Sequence, residues 1–355
     1  MSSRNTFLLY LLLISAVTFY LSRFPGHNGD MPFYIALVIE KEQGNMEGVA
    51  EQTKRVLQKE LPAGEFQDHA DRITNADPVI FERYRIKPLY VLLVFLFHKL
   101  GFSYIHASVA PSVLCYFLIG LILWQFVIKR LDPVKAILVC LACMLIFPTM
   151  YLARLSSPDA ISCLILLNAV FLIYNGRNKG IWFCLFLLAI CTRLDNVVSE
   201  LIFLFALWKW PIRSFANKLS TKEFIGMSLA AVGMALLVNL TCTHHFLWFM
   251  NSAFSQQPGQ YLNDLGLYFY VIPGSFFMYL LVIFIFSGLK RGFGWKQEVN
   301  YIFYVISAVV FVRFLLYPFY EERYITPYLL FSLLTISFYH SGVKNLPKTR
   351  LGEGA

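Results

Sequence analysis

The chain has 355 residues, of which 58% are hydrophobic and only 14% charged, against about 25% charged in ordinary soluble domains. That composition excludes a typical soluble domain and points to a polytopic membrane protein. The formal net charge of +9 does not indicate nucleic-acid binding, because the basic residues are spread over short loops and form no patch with interleaved aromatics.

A span of hydrocarbon needs about 20 apolar residues, and the first such run lies at 7–23. It is followed by LSRFPG, with no small-x-small cleavage site, so it reads as a membrane anchor and not a signal peptide. Residues 24–87 are the only extended soluble element. Within them MPFYIALVIEKEQ and MEGVAEQTKRVLQKEL carry apolar positions three to four apart. Two or three amphipathic helices lying on the membrane surface are expected there. Pro88–Leu100 is apolar but too short to cross, and reads as an interfacial or half-buried helix.

Further spans are read at 107–128, 136–152, 159–174, 181–192, 196–210, 224–242, 267–288, 299–317 and 325–340, ten in all with the first. The segments 181–192 and 196–210 are short enough to be tilted or re-entrant. The expected fold is thus an all-α membrane protein: one transmembrane domain over 1–340, with loop 24–87 as an embedded cap, and a cytoplasmic tail at 341–355.

Alternating the loops sorts the charges. One side collects Arg4, KRLDPVK, NGRNKG, KWPIRSFANKLSTKE, LKRGFGWKQE and the tail, 16 Lys and Arg together. The short loops opposite hold only Arg154, Arg193 and Arg323. Positive loops stay inside, so both termini are expected in the cytoplasm and loop 24–87 outside. A bacterial inner membrane is the expected location, from the short loops and compact chain.

Ionisable residues at or near membrane depth are functional candidates by default. Five clusters fall on the outer side. HNGDMPFY (27–34) holds His27 and Asp30. Asp30 fits a general base at the interface and equally an N-cap before Pro32. ERYRIKP (82–88) supplies Arg83, Arg85 and Lys87, suited to a phosphate or to a snorkelling basic rim. ARLSSPDA (153–160) holds Arg154 and Asp159, either ligand-positioning or paired with each other, with Ser156 and Ser157 as caps. TRLDN (192–196) places Arg193 and Asp195 in one turn, read either as an ion pair or as a turn drawn inward towards a cavity by its short flanking segments. YEERY (320–324) holds Glu321, Glu322, Arg323 and Tyr324, with Arg313 in the span before it. Apart from Arg313, the mid-span regions read as nearly free of charge.

All seven Cys fall in or beside apolar runs and read as core packing. His244 and His245 are adjacent, and neighbours on a helix point about 100° apart. No metal or other cofactor is expected, a divalent metal being the open alternative. There is no P-loop, dinucleotide fingerprint, G-x-S-x-G or HExxH, so ATP- or nicotinamide-driven chemistry is not expected.

In order along the chain, GDMPFYIAL (29–37), IKPLYVLLVFLFHKLG (86–101), ARLSSPDAISCLILLNAVFLIY (153–174), CTRLDNVV (191–198) and EERYITPYLLFSLL (321–334) resemble elements of the GT-C superfamily of polytopic glycosyltransferases, such as the aminoarabinose and protein mannosyl transferases. Asp195 and Asn196 depart from the family's commoner Pro-Glu-Gly turn, and the first loop has no Asp-x-Asp pair. The resemblance implies a polyprenyl-phosphate-linked sugar as donor and a glycan, lipid or protein acceptor. It implies Asp30 as the base, and Arg85, Lys87, Arg154 and Arg323 as neutralisers of the donor phosphate. His27, Arg83, Asp159, Arg193, Asp195, Glu321, Glu322 and Tyr324 complete the expected substrate contacts.

Two other classes compete. A lipid or glycan transporter predicts mid-span polar residues and paired broken helices. A glycan polymerase or membrane acyltransferase predicts a large outer loop near the C-terminus or a membrane-embedded His, for which His98 and His106 are candidates.

Overall fold

The computed structural model describes residues 3–76, 78–209 and 218–242, with short helical stretches among 305–312 and 326–334. The expected spans 267–288, 299–317 and 325–340 lie wholly or largely outside the described residues. The described chain is all-helical, with no strand beyond one isolated bridge between Gly26 and Leu155. Several of its helices are long and apolar, as in membrane proteins.

Among the described residues, three helices are long and apolar enough to cross a membrane: α1 (Ser3–Ser22), α7 (Tyr104–Val127) and α13 (Thr221–Cys242). Between α1 and α7 lie α2 (Met31–Gln43), α3 (Val49–Glu60), α4 (Ala63–Thr74), α5 (Pro78–Arg85) and α6 (Pro88–Lys99). After α7 come α8 (Pro133–Leu145), α9 (Phe147–Arg154), α10 (Asp159–Tyr174), α11 (Lys179–Thr192) and α12 (Asn196–Lys209).

The expected span 136–152 is two helices. α8 and α9 meet at a 60° bend, and together they would make a fourth candidate span. Pro148 explains the break. Its ring clashes with the carbonyl four residues back, so it fits only a first helical turn, and α9 starts one residue before it. Helices α10, α11 and α12 have 16, 14 and 14 residues, fewer than a straight crossing needs.

The helices pack as a bundle whose helix ends sort into two groups. At one end the α1 C-terminus, the α7 N-terminus, the α9–α10 turn and the α11–α12 turn meet. At the other, Phe126 packs edge-on against Tyr174, and Lys179 donates to the Lys218 carbonyl. Gly120 sets the spacing of α1 and α7. A Cβ there would lie 2.9 Å from Ile14 Cγ1 and 3.1 Å from the Tyr10 hydroxyl, and small residues are what let membrane helices approach. The Tyr10 hydroxyl donates to the Gly120 carbonyl at 2.9 Å, and its ring stacks on Trp124.

Helix α2 is not the surface helix expected. Every residue from Met31 to Ile39 is buried, as for a helix that is apolar on all sides. The amphipathic cover comes from α3 and α4. Helix α3 buries Val49, Thr53 and Leu57, one residue per turn, and α4 buries His69, Ala70 and Ile73. Gly44 closes α2 at φ 78°, a conformation only glycine adopts without cost. The Glu60 carboxylate, at the end of α3, accepts the Tyr104 and Ile105 backbone N–H groups at 3.3 and 3.0 Å. It thereby satisfies two orphan donors at the N-terminus of α7.

Candidate functional site

The site forms where four chain segments meet at one end of the bundle. The segment after α1 is docked on the α9–α10 turn. Gly26 N–H donates to the Arg154 carbonyl at 2.7 Å, and Arg154 Nε donates to the Phe24 carbonyl at 2.6 Å. Asn28 brackets Ser156, accepting its N–H at 3.0 Å and donating to its carbonyl at 3.4 Å. Gly29 lies against the exposed Arg72 guanidinium, so a Cβ there, 2.6 Å from Nη1, would need only that side chain to shift.

Asp30 occupies the N-cap position of α2, but its side chain makes no cap hydrogen bond. Pro32 in the first turn has no N–H to satisfy, and Met31 N–H already donates to the Asn28 carbonyl at 3.0 Å. The Asp30 carboxylate is turned to Tyr84, whose hydroxyl donates to Oδ1 at 2.9 Å. Tyr84 is held by Phe33, stacked at 4.5 Å between centroids, and by the Tyr34 ring edge-on at 5.1 Å.

Lys87 lies at the start of α6 with its ammonium between two tyrosines. Nζ donates to the Tyr34 hydroxyl at 3.1 Å and sits 4.8 Å from the Tyr84 ring centroid, within cation–π range. Burial pushes the amine from 10.5 down to about 8, and Arg193 and Arg83 push the same way, while Asp30 and Asp159 oppose them. These opposing influences place Asp30, Lys87, Asp159 and Arg193 in one electrostatic cluster. Among the described residues no carboxylate pairs directly with Lys87.

Arg193 is fully engaged. It grips Asp195 through Nε and Nη2 at 2.9 and 3.1 Å and pairs with Asp159 through Nη1. Both carboxylates are buried. Asn196 fixes this turn by donating to the Ala189 carbonyl at 2.8 Å and to the Ser162 hydroxyl at 2.9 Å. Of the two readings of Arg154 and Asp159, the mutual pair therefore does not form. Ser156 and Ser157 do not cap α10 either. The Ser156 hydroxyl meets Ser108 at 2.7 Å, and the Ser157 carbonyl accepts from Ser112 at 3.2 Å. In the apolar interior these bonds tie the turn to α7, where an unpartnered hydroxyl is costly.

Other expected residues sit apart from this cluster. Arg85 Nη2 pairs with Glu40 at 2.7 Å beside a cavity of about 410 Å³. His27 pairs with Glu65, whereas Arg83, though exposed, is within electrostatic reach of Lys87. Arg313, Glu321, Glu322, Arg323, Tyr324, His244 and His245 lie outside the described residues. Among the described residues, no group of three or more His, Cys, Asp or Glu side chains converges as a metal site would require.

Three features escaped the sequence reading. Tyr34 and Tyr84 carry no charge and give no signal in the sequence beyond lying in the HNGDMPFY and ERYRIKP segments. Glu200 in α12 is fully buried, and neither carboxylate oxygen has a hydrogen-bond partner among the described residues. It is a mid-span carboxylate in a region read as nearly free of charge, and its place inside 196–210 was the available signal.

No family model, no curated protein and no solved structure matches this chain, so its functional reading rests on the residues themselves.

Proposed function

We propose that this protein is a membrane glycosyltransferase of the GT-C type. It transfers a sugar from a polyprenyl-phosphate donor to a glycan, lipid or protein acceptor. On this reading the chain has ten spans in a bacterial inner membrane, both termini are cytoplasmic, and the Asp30–Lys87 cluster faces the periplasm.

One observation carries the proposal. The Asp30 carboxylate is not spent on capping its helix but is aimed by Tyr84 into a cluster whose unmatched cation is Lys87. Asp30 takes the proton from the acceptor hydroxyl. The hydroxyl oxygen attacks the anomeric carbon, the bond from that carbon to the phosphate oxygen breaks, and polyprenyl phosphate leaves with inversion at carbon. The leaving group carries its own charge, so neutralisation is the main demand on the site. Lys87 meets it, since Arg193 is committed to Asp159 and Asp195.

The test is release of free polyprenyl phosphate from synthetic polyprenyl-phosphate sugars by purified protein in nanodiscs, with a mixed acceptor extract. No release across several sugars would overturn the proposal. One observation favours a second reading. Buried Glu200 suits ion-coupled transport of a lipid or glycan, which would move label across vesicles without releasing polyprenyl phosphate.

A further inference from the structure

A groove of about 430 Å³ opens between the C-terminal end of α1, the α6–α7 turn and the first half of α7. That is within the roughly 300–1,000 Å³ of ordinary ligand pockets. Its two ends differ in chemistry. Ser22, Arg23 and His106 stand at the end where α1 stops and α7 begins, while Val113, Leu114 and Phe117 line the other. No Asp or Glu lines it. The Arg23 guanidinium rests over the Phe19 ring at 4.7 Å, and no carboxylate pairs with it among the described residues. His106 Nδ1 is engaged by the Ser103 hydroxyl at 3.0 Å, which leaves Nε2 at the mouth.

Length and location narrow the occupant. Along α7 the groove runs from His106 to Phe117, about 17 Å at a rise of roughly 1.5 Å per residue. Half of the roughly 30 Å hydrocarbon layer is about that depth. Both α1 and α7 are long and apolar enough to cross a membrane, so the groove starts at the interface and ends near the bilayer centre. Its rim keeps large apolar side chains open to the surroundings, with Phe19 61%, Leu114 47% and Phe102 44% exposed. An apolar slot one leaflet deep with an unopposed cation at its mouth matches one acyl chain below an anionic head group.

We propose that this groove is a binding site for a bilayer phospholipid with an anionic head group. One acyl chain lies along α7 from Ala110 to Phe117, and the phosphate region is held by Arg23 with His106. Since every bilayer lipid offers an apolar chain, hydrophobicity alone selects nothing. Selection comes from Arg23, and residence from the shape of the slot. This site is separate from the Asp30–Lys87 cluster, and the proposal does not depend on the reaction assigned there.

The experiment uses the full chain in phosphatidylcholine nanodiscs containing a minor fraction of phosphatidylglycerol with a diazirine in its acyl chain. Crosslinks are mapped by peptide mass spectrometry. The expected result is labelling concentrated in residues 109–117 and 97–102, competed by unlabelled phosphatidylglycerol and several-fold weaker with the matched phosphatidylcholine probe. Arg23→Gln brings the phosphatidylglycerol signal down to the phosphatidylcholine level, and Arg23→Lys retains most of it. Leu114→Trp, at a half-exposed position that tolerates change, removes labelling by both probes, with Ala110→Leu as a second block. Equal labelling by the two probes, or labelling unchanged in Arg23→Gln, overturns the proposal. So does stronger competition by polyprenyl phosphate than by phosphatidylglycerol, which would assign the groove to a different lipid.

Discussion

The Tyr84 hydroxyl lies 2.9 Å from Asp30 Oδ1, joining residues from the end of α5 and the start of α2. A hydrogen bond to a carboxylate contributes about 1.5–3 kcal/mol. Here it fixes the direction of the carboxylate, because Phe33 and Tyr34 leave the Tyr84 ring little freedom. Tyr84→Phe keeps the ring packing and loses the bond. Turnover is expected to fall about tenfold, with donor affinity nearly unchanged. An unchanged turnover in a folded Tyr84→Phe protein would remove Tyr84 from the site.

The Lys87 amine gives the site a pH dependence. Burial lowers its folded-state value from 10.5 to about 8. Below pH 8 the lysine is charged and holds the donor phosphate. Donor binding should therefore weaken as pH rises through about 8, and Lys87→Arg should keep its affinity to higher pH. Stability runs the other way. Between about 8 and 10.5 the unfolded chain binds more protons than the folded one, so this group makes stability rise with pH across that window. Lys87→Met should raise the melting temperature at pH 7 and flatten that rise. Equilibrium binding and thermal unfolding against pH check both signs.

Arg193 holds two buried carboxylates at once. Removing it takes away the cation they share, and breaking a buried ion pair by removing one partner costs about 3–5 kcal/mol. Arg193→Ala is expected to lower thermal stability by that order. Arg193→Ala with Asp159→Asn should recover part of the loss. A double variant no more stable than the single one contradicts the pairing.

Glu60 is bonded to the Tyr104 and Ile105 N–H groups and is not among the charges acting on Lys87, so it tests the cap alone. Glu60→Gln loses the charge that meets the N-terminus of α7 while keeping an acceptor. The expected cost is about 0.5–1 kcal/mol, read by denaturation in detergent, with turnover unchanged.

The helical ranges among the described residues are largely legible in the sequence, because apolar runs between charged loops mark where helices begin and end. The first seven expected spans each begin or end within a few residues of a helix, and the departures have local causes. Pro148 splits one span into two helices. Helix α2 was misplaced on the surface because its polar residues sit only in its last turn, and its remaining nine residues are buried on every side. Within the site, the sequence named Asp30, Lys87, Asp159 and Arg193 and offered the local Arg193–Asp195 pair, which forms, but not the contacts between distant segments. Arg193 pairs with Asp159 from 34 residues away, and Tyr84 reaches Asp30 across 54. Spacing along the chain carries no trace of such contacts, and it offers Arg154 as the nearer partner of Asp159.

The central claim is that Asp30 is the base of a glycosyl transfer. The most direct test is release of free polyprenyl phosphate by the native protein and by Asp30→Asn, both shown to be folded and inserted in nanodiscs. The account predicts release by the native protein and at least a hundredfold less by the variant, as for loss of a general base worth about 10²–10⁴-fold. Equal release by the two proteins would contradict it.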